Sequence, residues 1–328
     1  MNTKTIDLAN IALMLISCVA AFVVPFELFL FSYAVLGPLH YLTEITWLHK
    51  RDYFTNGKSD YIWLIMLCVF LFLFNFVFTG SGNISNLMIY LAFASALGFI
   101  LFKDLLSKIL FVVIAAFVGG LILNTQPFFF LFAVFLPTLI HVFLFTGLFI
   151  LFGALKNKSV TGIVSILVFA SCAISFFVLF PKFSFYQVSD YAEKALTASG
   201  FTMVNQSFIY VFKLGATARE NIFVSDIGFG IMRFIAFAYT YHYLNWFSKT
   251  SVIKWHQVPK QWLISVIALW IISVALYAYD YKTGLIALYF LSMLHVFLEF
   301  PLNYRSMIGI GEEVSALAGF KKTSAPKK

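Results

Sequence analysis

Two pairs of residues in apolar segments of this sequence combine an imidazole with a carboxylate. His40 precedes Glu44 by four residues, and His295 precedes Glu299 by four. This spacing places both members of a pair on one face of an α-helix. The carboxylate of such a pair either ligates a metal ion beside the imidazole or orients the imidazole through its second nitrogen. Each pair therefore predicts part of a metal site.

Two further histidines, His141 and His242, lie at similar depth in two other apolar segments. At ~1.5 Å rise per residue, the histidines and the two glutamates fall within roughly 9 Å along the helix axes. Such groups are costly in hydrocarbon unless they are paired, neutral or bound to an ion. We therefore predict that four helices converge on one buried metal site. Its predicted histidine ligands are His40, His141, His242 and His295, and its predicted carboxylates, as ligands or orienting acceptors, are Glu44 and Glu299.

The types of donor atom restrict the choice of metal ion but do not select a single one. Neutral imidazoles with nearby carboxylates suit iron, zinc or copper. Helix-borne histidines and carboxylates also form dinuclear iron centres. The spacing in the sequence does not separate one metal from two.

The composition identifies the elements that must position these side chains. The chain has 328 residues, of which 62% are apolar, 20% aromatic and only 11% charged, against about 25% charged in an average soluble domain. Apolar runs of about 16–25 residues match the span of a bilayer core. The sequence therefore predicts an all-α, polytopic membrane helix bundle of about ten transmembrane helices.

Hydropathy predicts that residues 1–328 form a single membrane domain. This domain has an outer-face loop at about 182–222 and a basic tail at about 304–328. We expect one or two short helices in that loop, lying on the membrane surface. The predicted spans are Leu8–Val24, Glu27–Leu48, Tyr61–Phe78, Leu87–Phe102, Ile109–Leu123, Phe128–Phe152, Val160–Phe180, Phe223–Phe247, Trp262–Tyr279 and Thr283–Leu302.

The basic residues predict the orientation of the spans. Most lysine and arginine residues fall in the amino-terminal segment, the tail and the connections after even-numbered spans. Basic loops stay in the cytoplasm, so both termini are predicted to be cytoplasmic, in a bacterial inner membrane. The net charge of +8 then serves topology and contact with membrane lipids, and we expect no nucleic-acid partner.

Three of the four helices with candidate ligands contain a proline near the site. Pro38 precedes His40, Pro137 precedes His141, and Pro301 follows Glu299. Proline removes a backbone hydrogen bond and bends a helix. We therefore expect these helices to be irregular near the site.

The order of these motifs resembles the bacterial membrane-embedded β-carotene 15,15′-dioxygenases, the family linked to bacteriorhodopsin genes. That family carries glycine and proline just before a histidine, with an aspartate four residues after it. Gly37-Pro38-Leu39-His40 followed by Glu44 is similar, with one residue inserted and glutamate for aspartate. A single mid-chain histidine of the family is similar to His141.

The later motifs of the family are also similar but depart at one ligand. Tyr241-His242 resembles an aromatic-flanked histidine in a late span, and Met293-Leu294-His295 resembles the last histidine motif. The family has a second histidine where this chain has Trp246, so His295 or a carboxylate has to supply the missing ligand. The resemblance implies Fe(II), dioxygen and a long apolar polyene as substrate.

The function predicted from these features is an integral membrane non-heme metal oxygenase, with iron as the metal. Its substrate would be a lipid-phase small molecule such as a carotenoid, an isoprenoid or an acyl chain. Zinc and heme stay open as alternatives to iron. The sequence does not determine the oligomeric state.

Two other functions use the same residues. A transporter or proton-coupled carrier would use buried histidine and glutamate as a relay, although no inverted repeat is evident. A heme b electron-transfer protein would pair histidines on facing spans, although carboxylates one turn away suit a heme slot poorly.

Overall fold

Helices dominate the computed structural model, which describes residues 3–78, 82–179, 186–214, 221–249 and 260–319. No β-strand occurs within those ranges. The helices are α1 (Thr3–Val23), α2 (Pro25–His49), α3 (Asp60–Phe76), α4 (Gly82–Leu101), α5 (Leu105–Ile122), α6 (Gln126–Lys156), α7 (Val160–Val178), α8 (Asp190–Ser199), α9 (Thr202–Phe212), α10 (Asp226–Ser248), α11 (Lys260–Tyr279) and α12 (Tyr281–Leu317).

Each of the ten predicted spans corresponds to one long helix. Eight of the described helices are long and apolar enough to cross a membrane. The other two are α3, which has 17 residues, and α10, which has 23 residues and contains Asp226 and Arg233. The prediction of an all-α polytopic bundle is confirmed, and the chain is a multi-pass integral membrane protein.

Side-chain caps mark where several of these helices begin. In each case a serine or aspartate accepts a hydrogen bond from the backbone N–H three residues later, which satisfies one of the free donors of the first turn. At the start of α12, hydrogen bonds from Thr283 also lower the pKa of the Asp280 carboxyl. The capping residues are Asp104, Ser159, Ser189, Ser225 and Asp280.

The two most enclosed helices are α10 and α12. Helix α10 packs against α1, α2, α6 and α7, and it is buried along most of its length. Helix α12 packs against α2, α3, α4, α6 and α11. Since α2 and α6 contact both central helices, these four helices can present inward-facing side chains to a common point, as the sequence predicted.

The last helix is longer than its predicted span. The span was expected to end at Leu302 and to lead into a basic tail at about 304–328, but α12 continues to Leu317. Packing beyond Pro301 explains the extension, because the Tyr304 ring lies 4.8 Å from that of Phe93, and Gly309 lies close against Phe152. The rest of the predicted tail, residues 320–328, falls outside the described residues.

Two of the three predicted irregularities are present, both as π-helical turns. Residues Ser32–Leu36 of α2 and Phe129–Phe145 of α6 have π-helical geometry, next to Pro38 and around Pro137. The third expectation was wrong, since α12 passes through Pro301 as a continuous α-helix. A π-helix bonds each residue to the fifth one along, so it aligns side chains five apart.

The predicted loop at about 182–222 contains two short helices, α8 and α9. Both pack against long helices of the bundle. Glu27 in the first turn of α2 anchors them, accepting hydrogen bonds from the Tyr186 hydroxyl at 2.5 Å and from the Ser189 hydroxyl at 2.8 Å. The turn between α8 and α9 contains Gly200 in a left-handed conformation (φ 77°), which glycine adopts without strain.

Candidate metal centre

The six side chains predicted to form the site meet in one buried cluster between α2, α6, α10 and α12. Their exposed fractions lie between 1% and 7%. The convergence of the histidines is therefore observed, while their role as metal ligands stays a prediction. The cluster consists of His40 and Glu44 from α2, His141 from α6, His242 from α10, and His295 and Glu299 from α12.

The four imidazoles form a closed ring of neighbours. The centroid of His40 lies 4.7 Å from that of His242, and the centroid of His242 lies 5.0 Å from that of His141. His141 is 5.1 Å from His295, and His295 is 5.4 Å from His40. All four pairs of rings are steeply inclined to each other, with interplanar angles of 62–87°.

The nitrogens that meet have the spacing of two ligands on one metal ion. The Nε2 atoms of His40 and His242 are 3.1 Å apart, and those of His141 and His295 are 3.2 Å apart. Metal–nitrogen bonds are about 2.0–2.1 Å long, so two bound nitrogens lie ~3.0 Å apart at a right angle and ~3.4 Å apart at a tetrahedral angle. The observed distances fall within this range.

The two carboxylates approach different nitrogens. Glu44 Oε2 lies 3.0 Å from Nε2 of His40, its partner on the same helix. Glu299 Oε2 lies 3.3 Å from Nδ1 of His141 on α6, not from its own helical neighbour His295. Glu44 therefore lies on the inner side of the imidazoles, where a metal ion would bind, whereas Glu299 lies behind His141, in position to orient the ring.

Two buried carboxylate oxygens in the cluster are compatible with a bound cation. Glu44 Oε2 and Glu299 Oε2 are buried, and within the described ranges neither has a hydrogen bond of normal geometry. An uncompensated buried carboxylate is strongly unfavourable. The ligand atoms of His40, Glu44 and His295 also lie within 4.8 Å of one another. Two imidazoles with one carboxylate are the donor set of many non-heme iron sites.

Thr146 fixes the tautomer of His242. The Thr146 hydroxyl donates to the carbonyl oxygen of Val142 at 2.9 Å, and it lies 2.8 Å from Nδ1 of His242. A hydroxyl has one hydrogen, which is used by the carbonyl, so Nδ1 of His242 must be the donor in the second bond. Nε2 of His242 is then unprotonated and presents its lone pair to the centre of the cluster.

We expect Thr146→Val to weaken metal binding by about 10–100-fold, the usual effect of losing a group that orients a ligand. Valine keeps the shape of threonine but cannot accept the hydrogen bond from Nδ1 of His242. Competition with a chelator during titration of the purified apoprotein measures the change. Thr138→Val is the control, because Thr138 on the same helix also bonds a carbonyl four residues earlier but forms no hydrogen bond to a histidine among the described residues. Equal affinities in both variants would contradict the tautomer assignment.

A tryptophan and a threonine position the helices at the site. Trp246 Nε1 donates to the Thr43 hydroxyl at 2.9 Å, which links α10 to α2. The Trp246 ring lies edge-on to His40, with centroids 5.6 Å apart. Trp246 follows His242 by one helical turn, so it packs against the outer side of the four-histidine cluster.

Two cavities touch the cluster on different sides. The first, which we call the capped chamber, has a volume of about 250 Å³ and reaches from His141 and His295 to the turn Ser199-Gly200-Phe201 between α8 and α9. The second, the carboxylate cavity, has a volume of about 170 Å³ and is lined by Glu44, Glu299 and Lys249, among others. The cluster therefore separates a chamber of mostly apolar and tyrosine side chains from a charged one.

Sequence analysis missed four residues that contact or enclose the cluster: Thr43, Thr146, Tyr243 and Lys249. Thr146 and Tyr243 follow His141 and His242 closely, but neither spacing is that of a regular helical face. The π-helical turn explains Thr146, because it aligns residues five apart. Only knowledge of that turn would have predicted its contact with His242.

No protein-family model, no curated protein and no solved structure matches this chain. The fold and the cluster themselves define its class. It is a multi-pass helical membrane protein with a buried histidine and glutamate cluster whose donor atoms fit a metal ion.

Proposed function

We propose that the protein is a membrane-embedded non-heme iron oxygenase that acts on a lipid-phase substrate. The observation that carries the proposal is the pair of Nε2–Nε2 distances, 3.1 and 3.2 Å, between imidazoles from four different helices. Hydrogen bonding between neutral histidines also gives such distances, but the convergence of four imidazoles beside a buried carboxylate favours a metal-binding set.

Iron is favoured over the alternatives by the donor set and by the sequence resemblance. The combination of His40, His295 and Glu44 is typical of non-heme Fe(II) oxygenases, in which positions left open bind the other reactants. In the carotene dioxygenase family a second late-span histidine is present where this chain has Trp246. Here His295 supports the proposal, because it is the fourth histidine of the cluster and neighbours both His40 and His141.

Heme fits this arrangement poorly. Two axial imidazoles bind opposite faces of a planar macrocycle, whereas the centroids of neighbouring rings here are only 4.7–5.4 Å apart. Zinc is compatible with the same ligands, so metal analysis has to distinguish it from iron.

Residues on different sides of the cluster would have different roles in the reaction. Bound iron would supply the activation of dioxygen. His141 and His295 face the capped chamber, where a lipid-phase substrate would lie beside the metal ligands. The buried, largely apolar surroundings exclude bulk water, which prevents competing reactions. Glu299 and Thr146 hold His141 and His242 in the required orientation.

We further propose that the protein lies in a bacterial inner membrane with both termini in the cytoplasm, as the distribution of basic residues predicts. In this orientation the turn between α8 and α9 covers the end of the capped chamber nearer the outer face. The substrate class suggested by the resemblance is a carotenoid, an isoprenoid or an acyl chain.

Elemental analysis of the detergent-purified protein tests the metal, and anaerobic substrate addition followed by oxygen tests the reaction. We expect about one iron per chain and oxygen-dependent cleavage or oxidation of a carotenoid, an isoprenoid or an acyl chain, with the products identified by mass spectrometry. Protein without stoichiometric metal, after reconstitution with Fe(II), would overturn the proposal. Bound zinc without oxygen consumption would point to another chemistry at the same ligands.

A further inference from the structure

The capped chamber is lined by two tyrosines whose hydroxyls form no hydrogen bond among the described residues. Tyr239 and Tyr243, on successive turns of α10, both line the chamber and are only 4% and 5% exposed. Among the described residues, neither hydroxyl has a hydrogen-bond partner. Both belong to the same helix as His242, so the chamber and the metal cluster share a wall.

Other hydroxyls of the chamber differ in this respect. Thr138 donates to the carbonyl oxygen of Val134, and the Ser199 hydroxyl donates to that of Leu196. The Tyr289 hydroxyl accepts a hydrogen bond from Asn75 at 3.2 Å, and the Tyr33 hydroxyl lies 3.5 Å from Ser292 Oγ. Tyr239 and Tyr243 are therefore distinguished from these four residues by hydroxyls without a hydrogen-bond partner among the described residues.

Tyr243 lies closest to the proposed metal ligands. Its ring centroid is 5.1 Å from that of His40 and 5.4 Å from that of His242. Gly37 makes room for its hydroxyl, since a Cβ atom at that position would lie 3.3 Å from Tyr243 Oη. The hydroxyl thus packs closely against Gly37, three residues before His40, and the ring lies beside the cluster.

A buried hydroxyl without a hydrogen-bond partner is unfavourable. A bound hydrocarbon does not change this, because it has no atom that accepts a hydrogen bond. A ligand oxygen removes this penalty by accepting a hydrogen bond from one or both tyrosines. The rest of the lining is mainly aliphatic and aromatic, which suits the carbon chain next to such an oxygen.

We propose that the capped chamber binds the oxygen-bearing end of an amphiphilic lipid, with a carbonyl or hydroxyl group held by Tyr239 and Tyr243. This inference rests on the proposed function and specifies its substrate class as an oxygenated lipid instead of a pure hydrocarbon. The chamber volume of about 250 Å³ is below the ~300–1,000 Å³ of pockets that enclose a whole drug-sized ligand. It therefore accommodates the polar end and not the full length of a long-chain lipid.

A matched pair of lipids tests the inference by binding alone. Radiolabelled 2-heptadecanone and heptadecane have the same chain length and differ in one carbonyl oxygen. Each is equilibrated with the purified full-length protein in lipid nanodiscs, and binding above that of empty nanodiscs is measured. We expect saturable binding of one ketone per chain and at least tenfold weaker binding of the alkane.

Single substitutions then assign the binding to the two hydroxyls. Tyr243→Phe and Tyr239→Phe are each expected to weaken ketone binding about fivefold, the usual effect of one neutral hydrogen bond. Tyr277→Phe is the matched control, because Tyr277 is a buried tyrosine of α11 that does not line the chamber. Its ketone affinity is expected to equal that of the wild type.

Equal binding of alkane and ketone, or unchanged ketone affinity in both chamber variants, would overturn the inference. If one variant does not purify as a folded protein, the other carries the test. Metal content is measured on the same samples, which separates the two proposals. Ketone binding that depends on the tyrosines in a protein without metal would remove the oxygenase proposal alone, whereas tyrosine-independent binding in an iron-containing protein would remove this inference alone.

Discussion

Replacement of His40 by alanine is expected to abolish stoichiometric metal binding. Nε2 of His40 lies 3.1 Å from Nε2 of His242 and 3.0 Å from Glu44 Oε2. His40 therefore contacts both another histidine of the cluster and a carboxylate. Its loss removes a ligand and leaves a gap that the rigid helices cannot close. The reduction in affinity is therefore expected to exceed the ~10–100-fold of an orienting residue.

Two measurements check this expectation. Elemental analysis after anaerobic equilibration with Fe(II) gives the stoichiometry, and thermal unfolding gives the stabilisation by bound metal. Metal at 100 times its Kd stabilises a native protein by ~2.7 kcal/mol, and the His40→Ala variant should show no such increase. His49→Ala is the control, because His49 ends the same helix and contacts Tyr53 at 3.1 Å, away from the cluster. Wild-type metal content in His40→Ala would show that His40 is not a ligand.

The second large effect is a difference between two glutamates with the same local spacing. Glu44→Gln is expected to weaken metal binding by more than 100-fold, because it removes the negative charge on the ligand side of His40. Glu299→Gln is expected to weaken metal binding by only about 10–100-fold, because the amide oxygen keeps the 3.3 Å contact with Nδ1 of His141. The structure thus predicts unequal roles where the sequence permitted either.

Metal titrations of both variants against a chelator measure this difference. Glu27→Gln serves as the control for Glu44, since Glu27 is a carboxylate of the same helix that binds Tyr186 and Ser189 instead of the cluster. Its metal affinity should equal that of the wild type, whereas its thermal stability should fall. A larger loss in Glu299→Gln than in Glu44→Gln would reverse the assignment of ligand and orienting group.

The membrane spans and the candidate residues were predictable because the bilayer imposes strong and local constraints. A run of apolar residues long enough to cross hydrocarbon identifies a span without reference to the rest of the fold. Ionisable groups are costly there, so the concentration of histidine and glutamate in four spans indicated a shared interior. Proline positions predicted two of the irregular turns, at Pro38 and Pro137, but α12 stays regular at Pro301.

The sequence by itself therefore determined the class of fold, the helices that meet and the side chains they bring together. Only the tertiary structure decided which atoms of those side chains meet. Glu44 contacts the histidine of its own helix, whereas Glu299 contacts His141 of another, although both have an identical i, i+4 spacing. That spacing fixes the face of a helix, but the partner depends on how neighbouring helices are rotated and packed. For the same reason, the Thr146 contact with His242 and the tyrosine-lined chamber appear only when the bundle is assembled.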